Sequence, residues 1–211
     1  MPLNTSTSEI VESALAGIIK AQKTYENYSG YSWLNKAPEH FLTCEIARSI
    51  ATKARGYVTL EEPVKSTLER SKSRGLGNTR ASTNLRGRHD IVVWYAKDQP
   101  HGIIEVKNPV WMFSMIQKDI ERVRDAVVMS KRNGGTIKFG AVAFFVGSNH
   151  PKRKHANVDQ KFNDNESGWY KSWKYEAQKL LKADKLSVSI KPTRTFSLDE
   201  GGWAGAVLLI R

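Results

Sequence analysis

The sequence predicts an α/β protein with a mixed central sheet flanked by helices. Stretches with apolar residues at helical spacing alternate along the chain with short β-branched runs, and turn residues separate many of them. The 211 residues suffice for a closed core, because a chain of this length buries roughly 70% of its unfolded surface. Neither an internal repeat nor a sharp change of composition marks a boundary. We therefore expect a single domain over residues 1–211.

The N-terminal part is predicted to contain two helices and a strand. Residues 8–28 carry apolar side chains at helical spacing, and Ser6 with Glu9 forms the S-x-x-E pattern of a capping box. A second helix is predicted over residues 38–54, since a proline opens it and a glycine follows it closely. The run at residues 57–64 is predicted to be a short strand.

The rest of the chain alternates between strands and helices. Two β-branched runs separated by turn residues predict a hairpin of residues 89–96 and 102–107. Further helices are predicted at residues 114–132 and 169–183, and further strands at residues 137–146, 186–190 and 203–210. Residues 65–88 and 148–168 lack sustained periodicity and are rich in basic side chains, so we expect flexible loops there.

Composition narrows the class of protein. The chain has 33 Lys and Arg against 21 Asp and Glu, a formal net charge of +12, which favours a polyanionic partner through counterion release. The single cysteine, Cys44, cannot form an internal disulfide, so disulfide-rich extracellular scaffolds are excluded. No apolar run approaches the ~20 residues of a membrane-spanning helix. A cytoplasmic protein with no membrane partner is expected.

Three charged residues of the predicted hairpin carry the chemistry. If the hairpin turns near residue 98, Asp90 lies across from the region of Glu105. The two-residue period of a strand then places Glu105 and Lys107 on one face and Val106 on the other. A pair of carboxylates suits a hard divalent cation such as Mg²⁺, and a neighbouring ammonium can orient or deprotonate water or stabilise developing charge.

The order helix, strand, hairpin ending in Glu-Val-Lys, helix, strand, with an aspartate at the head of the hairpin, resembles the PD-(D/E)XK nuclease superfamily. The resemblance covers residues 38–146, about half of the chain. It implies a restriction-endonuclease-like αβββαβ core, with an N-terminal helix and a C-terminal helix and strands added to it. His89 stands where many members have proline, which is a variable part of their pattern.

The resemblance implies a role for each site residue. Asp90 and Glu105 would bind Mg²⁺, with Mn²⁺ as a substitute, the carbonyl of Val106 would add a third ligand, and Lys107 would be the catalytic lysine. Many relatives carry an acidic residue on the preceding helix. Glu45 matches it, because on a helical wheel its carboxylate falls on the packed side. Some relatives use a glutamine on the following helix. Gln117 matches that position weakly because it lies at the edge of the apolar stripe that contains Ile116, so a surface role is favoured for it.

The function expected from these features is Mg²⁺-dependent hydrolysis of DNA, with an endonuclease favoured over an exonuclease. The alternative is a non-catalytic nucleic-acid-binding or assembly protein on the same fold, and a homodimer is left open. Basic residues of the two predicted loops, 65–88 and 148–168, are expected to contact DNA phosphates. They are Arg74, Arg80, Arg86, Arg88, Lys152, Arg153 and Lys154.

Overall fold

Helices and strands alternate along the chain. The structure, a computed structural model, describes residues 5–30, 33–73, 84–96, 99–149, 168–198 and 201–211. The helices are α1 (Thr7–Ser29), α2 (Glu39–Lys53), α3 (Val64–Arg70), α4 (Ser114–Arg132) and α5 (Trp169–Leu181). The strands are β1 (Tyr57–Pro63), β2 (Arg88–Ala96), β3 (Gln99–Lys107), β4 (Phe139–Asn149), β5 (Val188–Pro192), β6 (Phe196–Leu198) and β7 (Gly201–Ile210).

Helix α1 begins and ends as its sequence predicts. The Ser6 side chain accepts the N–H of Glu9, and the Glu9 carboxylate accepts the N–H of Ser6, so the capping box is present. Gly30 closes the helix in the left-handed region with φ 69°. Within α1, Gly17 allows close approach to α2, because a Cβ there would lie 2.7 Å from the Cα of Ile46.

The sheet is mixed, as predicted. Its strand order is β1-β2-β3-β4-β7-β5, and β6 also pairs with β7. Strands β3 and β4 run parallel, and the other pairs are antiparallel. The β3–β4 connection contains α4, which is the crossover that a parallel pair requires. The hairpin of β2 and β3 is therefore internal to the sheet, with β1 on one side and β4 on the other.

Each face of the sheet has its own hydrophobic core. On one face, Ile104 and Val106 of β3 pack with buried residues of α1 and α2 such as Ile46. On the other face, Ile103 of β3 packs with buried residues of α3, α4 and α5 such as Ile120. Alternate residues of β3 thus point to opposite faces, as the two-residue period requires.

Three features differ from the sequence prediction. Residues 65–88 were expected to form a flexible loop, but α3 occupies the start of that segment because Val64 and Leu68 are buried. Strand β4 extends to Asn149, into the predicted loop 148–168, and residues 150–167 of that loop lie outside the described residues. The short strand β6 was not predicted.

Helix α5 buries two of its aromatic residues against the sheet. Trp173 and Tyr170 are 5% and 7% exposed and belong to the core beneath α4 and α5. The ring of Trp169 stacks on that of Trp173, with centroids 5.6 Å apart. Across the described part of the chain, no helix combines the length and apolar character needed to cross a membrane.

Candidate active site

Asp90 and Glu105 lie on neighbouring antiparallel strands where their pairing ends. In the register of β2 and β3, Ile91 faces Ile104, and one further step sets Asp90 opposite Glu105. There, Asp90 Oδ2 accepts the backbone N–H of Val106 at 2.7 Å. The Asp90 side chain also interacts with the Glu105 carboxyl. The structure thus brings together the two carboxylates that the hairpin arithmetic placed near each other.

Glu105 is buried between a histidine and an arginine. Its side chain is 1% exposed, and its Oε1 lies 2.9 Å from Nδ1 of His89. Its Oε2 lies 3.1 Å from Nη1 of Arg122, which α4 presents to this face of the sheet. Burial lowers the pKa of His89 to about 4, so the ring is neutral near pH 7 and can donate its Nδ1 hydrogen to Glu105. Of these two neighbours, Arg122 therefore carries the positive charge that faces the Glu105 carboxylate.

The surroundings of Asp90 and Glu105 disfavour ionisation of both carboxyl groups. Burial raises the pKa of Glu105 to about 8, although the charge of Arg122 opposes the rise. Burial also raises the pKa of Asp90 to about 7, and repulsion from Glu105 adds to it. The protein therefore does not supply enough positive charge to keep both carboxylates ionised near neutral pH.

A divalent cation fits this pair of carboxylates. Carboxylate oxygens are the ligands that Mg²⁺ prefers. Glu105 Oε2 is a buried oxygen without a hydrogen-bond partner among the described residues, because its ion pair with Arg122 does not have hydrogen-bond geometry. Within the described ranges, no group of three or more His, Cys, Asp or Glu side chains is arranged to hold a metal. The remaining ligands would therefore be water, substrate oxygens or a backbone carbonyl such as the predicted one of Val106.

Lys107 lies at the end of β3 and is held by α2. Its Nζ is 3.3 Å from Oε2 of Glu39, the first residue of α2. Oε2 of the same carboxylate accepts the backbone N–H of Asn108 at 3.0 Å. The Asn108 side chain in turn donates to the carbonyls of Leu34 and Ala37 at 2.8 and 3.0 Å. These bonds fix the N-terminus of α2 against the end of β3.

The charge around Lys107 is predominantly negative. Burial lowers the pKa of Lys107, but the nearby carboxylates of Glu39, Asp119 and Asp90 outweigh that effect, and the net shift is upward. Burial also raises the pKa of Asp119, which α4 contributes to the same region. Lys107 is therefore a protonated ammonium near neutral pH, suited to hold an anion or orient water.

No described contact joins Glu45 to this cluster, and its expected role as a metal ligand stays a prediction. It is buried, as the helical wheel indicated, but its carboxylate lies 3.1 Å from Arg48 and 3.7 Å from Lys20 of α1. It lies six residues beyond Glu39, a separation of about 9 Å along a helix axis. The N-terminus of α2, rather than its middle, approaches the end of β3, so Glu39 is the α2 carboxylate beside Lys107.

The remaining predicted residues are placed as follows. Gln117 donates to Glu121 at 3.2 Å and lines a groove between α4 and α5, so the described contacts leave it in the surface role favoured for it. Arg86 and Arg88 are exposed, and Arg88 donates to the carbonyl of Glu61 at 2.9 Å. The other residues expected to contact DNA lie outside the described residues. They are Arg74, Arg80, Lys152, Arg153 and Lys154.

Three residues of the site escaped the sequence analysis. Glu39 and Arg122 were predicted only to lie within the helices of residues 38–54 and 114–132. His89 was noticed only as a departure from a family pattern. One signal was present for Arg122, since it lies one turn before the apolar Ala126 on a helix predicted to flank the sheet, but the identity of its partner depends on tertiary packing.

Comparison of the chain with protein-family models, with curated proteins and with solved structures gave no match in any of the three.

Proposed function

We propose that this protein is a metal-dependent nuclease of the PD-(D/E)XK type, acting on DNA. One observation carries the proposal: the buried carboxyl group of Glu105 and the partly buried one of Asp90 meet where two antiparallel strands part, and Lys107 follows Glu105 on the same strand. Neither the packing of the sheet nor the capping of a helix requires this set. Placing a partly buried carboxyl group beside a fully buried one is costly, which favours a functional reason for retaining them.

The order of elements supports the same proposal. From α2 onward the chain runs through β1, the hairpin of β2 and β3, the crossover helix α4 and the parallel strand β4. This is the order expected of a restriction-endonuclease-like αβββαβ core, with the short α3 inserted before the hairpin. Helix α1 and the elements after β4 are additions to that core.

The residues have distinct tasks in the proposed reaction. Asp90 and Glu105 would hold Mg²⁺ or Mn²⁺, which supplies positive charge to the scissile phosphate. Lys107 orients the attacking water and stabilises charge that develops on the phosphate oxygens. Its raised pKa favours these roles over proton abstraction. Water attacks phosphorus and releases a proton to solvent, the bond to the leaving sugar oxygen breaks, and that oxygen takes up a proton from solvent.

Glu39 and Asn108 act on Lys107 rather than on the substrate. The Glu39 carboxylate contacts the Lys107 ammonium and the Asn108 N–H together, so it limits the positions that the lysine can adopt. A positioned group is far more effective than a mobile one, because the orientation is prepared before the substrate binds.

One observation favours the alternative, a non-catalytic nucleic-acid-binding protein. Arg122 already contacts Glu105, so its guanidinium partly neutralises the carboxylate charge that a metal ion would otherwise neutralise. In that alternative the carboxylate pair would be structural, and the basic surface alone would bind nucleic acid. The net charge of +12 supports a polyanionic partner in both cases.

A panel of substrates separates the two functions. The protein would be incubated with supercoiled, linear, single-stranded and branched DNA and with RNA, each in Mg²⁺, Mn²⁺ or EDTA, and binding would be measured in EDTA. We expect cleavage of DNA in Mg²⁺ or Mn²⁺ and intact DNA in EDTA. Binding without cleavage under every metal condition would favour the alternative, and mapped product ends would separate endonuclease from exonuclease.

A further inference from the structure

Two exposed apolar positions flank the crossover into α4. Trp111 is 52% exposed and Met112 is 58% exposed, although both are large and apolar. They follow Lys107 by only four and five residues, so the Cα of Trp111 lies within about 14 Å of that of Lys107. Val110, in contrast, is fully buried and bonds to the backbone of β4. The chain therefore holds Trp111 at the surface close to the proposed active site.

A groove that begins at Phe113, the next residue after Met112, lies on the same side of the sheet as α4 and α5. It has a volume of about 410 Å³ and lies between α4 and α5. Its lining residues are Phe113, Gln117, Glu176, Lys179 and Leu180. Phe113 directly follows the exposed Trp111 and Met112. Glu176 directly follows Tyr175, which is 64% exposed. Each wall of the groove thus includes a residue that lies within two positions of an exposed aromatic residue in the sequence.

Helix α5 surrounds Tyr175 with positive charge. Lys171 and Lys179 lie one turn to either side of Tyr175, and Lys174 precedes it, all of them exposed. Glu176 is the acidic residue among those that line the groove. The buried side of α5 is occupied by Trp173 and its core neighbours, so the lysines and Tyr175 form the outward face. We define the α5 face as Lys171, Lys174, Tyr175 and Lys179.

We propose that the groove between α4 and α5 binds a single-stranded segment of nucleic acid, with bases stacked on Trp111 and Tyr175 and phosphates on the lysines of the α5 face. This deepens the proposed nuclease function and rests on it for the identity of the substrate. Exposed aromatic rings combined with a basic helix face are the two parts of a single-strand binding surface.

The exposed rings argue for a single strand rather than a duplex. In a duplex each base already stacks on its neighbours, and a protein reaches mainly the phosphates and the base edges. A ring can stack on a base only where that base is unpaired or turned outward. Trp111 is also four residues from Lys107, so a base bound there would belong to a nucleotide near the scissile phosphate.

The test is a binding measurement in EDTA, where no cleavage is required. Fluorescence anisotropy would be measured with fluorescein-labelled oligothymidylate, which does not pair with itself, and with a duplex of the same length. The first variant is the double substitution Trp111→Ala with Tyr175→Ala. We expect it to weaken oligothymidylate binding by roughly fivefold or more per ring, with duplex binding nearly unchanged. Trp111→Phe should retain most of the affinity that Trp111→Ala loses.

A second variant tests the charge. Lys174→Gln with Lys179→Gln should reduce the slope of log affinity against log salt on the oligothymidylate by roughly 0.7 for each lost phosphate contact. Lys23→Gln with Lys53→Gln is the matched control, because these exposed lysines of α1 and α2 lie on the other face of the sheet. Tyr57→Ala is the control for an exposed ring, since Tyr57 is 49% exposed on β1. Circular dichroism would confirm that each variant is folded.

The outcomes separate this inference from the nuclease function. Unchanged oligothymidylate affinity in the ring variant, or an equal loss in the Tyr57→Ala control, would overturn the groove assignment. An equal loss on the duplex would overturn the preference for a single strand. Binding that follows the expected pattern in a protein that cleaves no substrate would support the groove and contradict the nuclease proposal.

Discussion

The Glu39 carboxylate lies 3.3 Å from the ammonium of Lys107, and it joins α2 to the end of β3. Its second partner is the backbone N–H of Asn108, so one side chain fixes both the lysine and the strand that carries it. Glu39 is 36% exposed and Lys107 is 33% exposed, which leaves the pair open to a substrate. An exposed ion pair contributes little to stability, and its importance here is the position of Lys107.

Glu39→Gln is expected to lower the cleavage rate by about tenfold or more while leaving the fold intact. The amide keeps the shape of the side chain and can still accept the Asn108 N–H, but it no longer attracts the ammonium of Lys107. Initial rates on a cleavable DNA substrate in Mg²⁺ would measure the effect.

Glu45→Gln is the matched control for that substitution, since it makes the same chemical change on the same helix. Glu45 contacts Lys20 and Arg48, so we expect a loss of about 1 kcal/mol in the free energy of unfolding and an unchanged rate. Equal losses of rate in the two variants would show that Glu39 has no specific effect on Lys107.

Arg122 is expected to stabilise the fold through Glu105. Arg122→Met removes the cation 3.1 Å from a buried carboxylate, and we expect the free energy of unfolding in EDTA to fall by about 2 kcal/mol. Glu105→Gln, made in the Arg122→Met background, should recover at least about 1 kcal/mol, because glutamine removes the cost of burying a carboxyl group whose pKa lies far above its usual range. Urea unfolding of the four proteins of this cycle measures the coupling. Strictly additive losses would contradict the ion pair.

His101 is expected to make the protein less stable in mild acid. The centroid of its ring lies 3.8 Å from that of Tyr95, and both of its nitrogens are buried with no hydrogen-bond partner in the described part of the chain. Burial, with a contribution from the charge of Lys138, lowers the pKa of His101 from 6.5 to about 4. The unfolded chain therefore binds a proton at higher pH than the folded protein does. The contribution of the neutral His101 ring to the free energy of unfolding is fully present above pH 6.5 and is lost as the pH falls towards about 4.

His101→Phe keeps a ring against Tyr95 and removes the titration. The difference in unfolding free energy between variant and wild type should shift in favour of the variant as the pH is lowered through that window. Urea unfolding at several pH values gives this difference directly. A difference that does not change with pH would show that His101 does not titrate on unfolding.

Much of the fold was predictable because its elements carry periodic patterns. Helix α4 has the bounds that the sequence predicted, and the β2–β3 hairpin was expected from two β-branched runs around a turn. Helix α3 was missed because its seven residues span only about two turns, which is too short to show a helical pattern. The burial of Leu68 also depends on the sheet against which the helix packs. Strand β6, with three residues, has even less local signal and is defined by its pairing with β7.

The site was predictable where it depends on strand register and unpredictable where it depends on helix docking. Counting residues around a hairpin placed Asp90 near Glu105. The same kind of counting on α2 correctly buried Glu45, but it could not show that Glu45 faces α1. Where the N-terminus of α2 meets β3 is set by packing between distant segments, so Glu39 could not be identified from local spacing.

The central claim is that the paired carboxylates of Asp90 and Glu105 serve metal-dependent cleavage. The most direct measurement compares cleavage of supercoiled plasmid by the wild-type protein and by Glu105→Gln, purified identically and assayed in Mg²⁺. We predict cleavage by the wild type and a rate at least about 100-fold lower in the variant, with DNA binding in EDTA retained. Equal cleavage by both preparations, or none by the wild type on any substrate with Mg²⁺ or Mn²⁺, would contradict the claim.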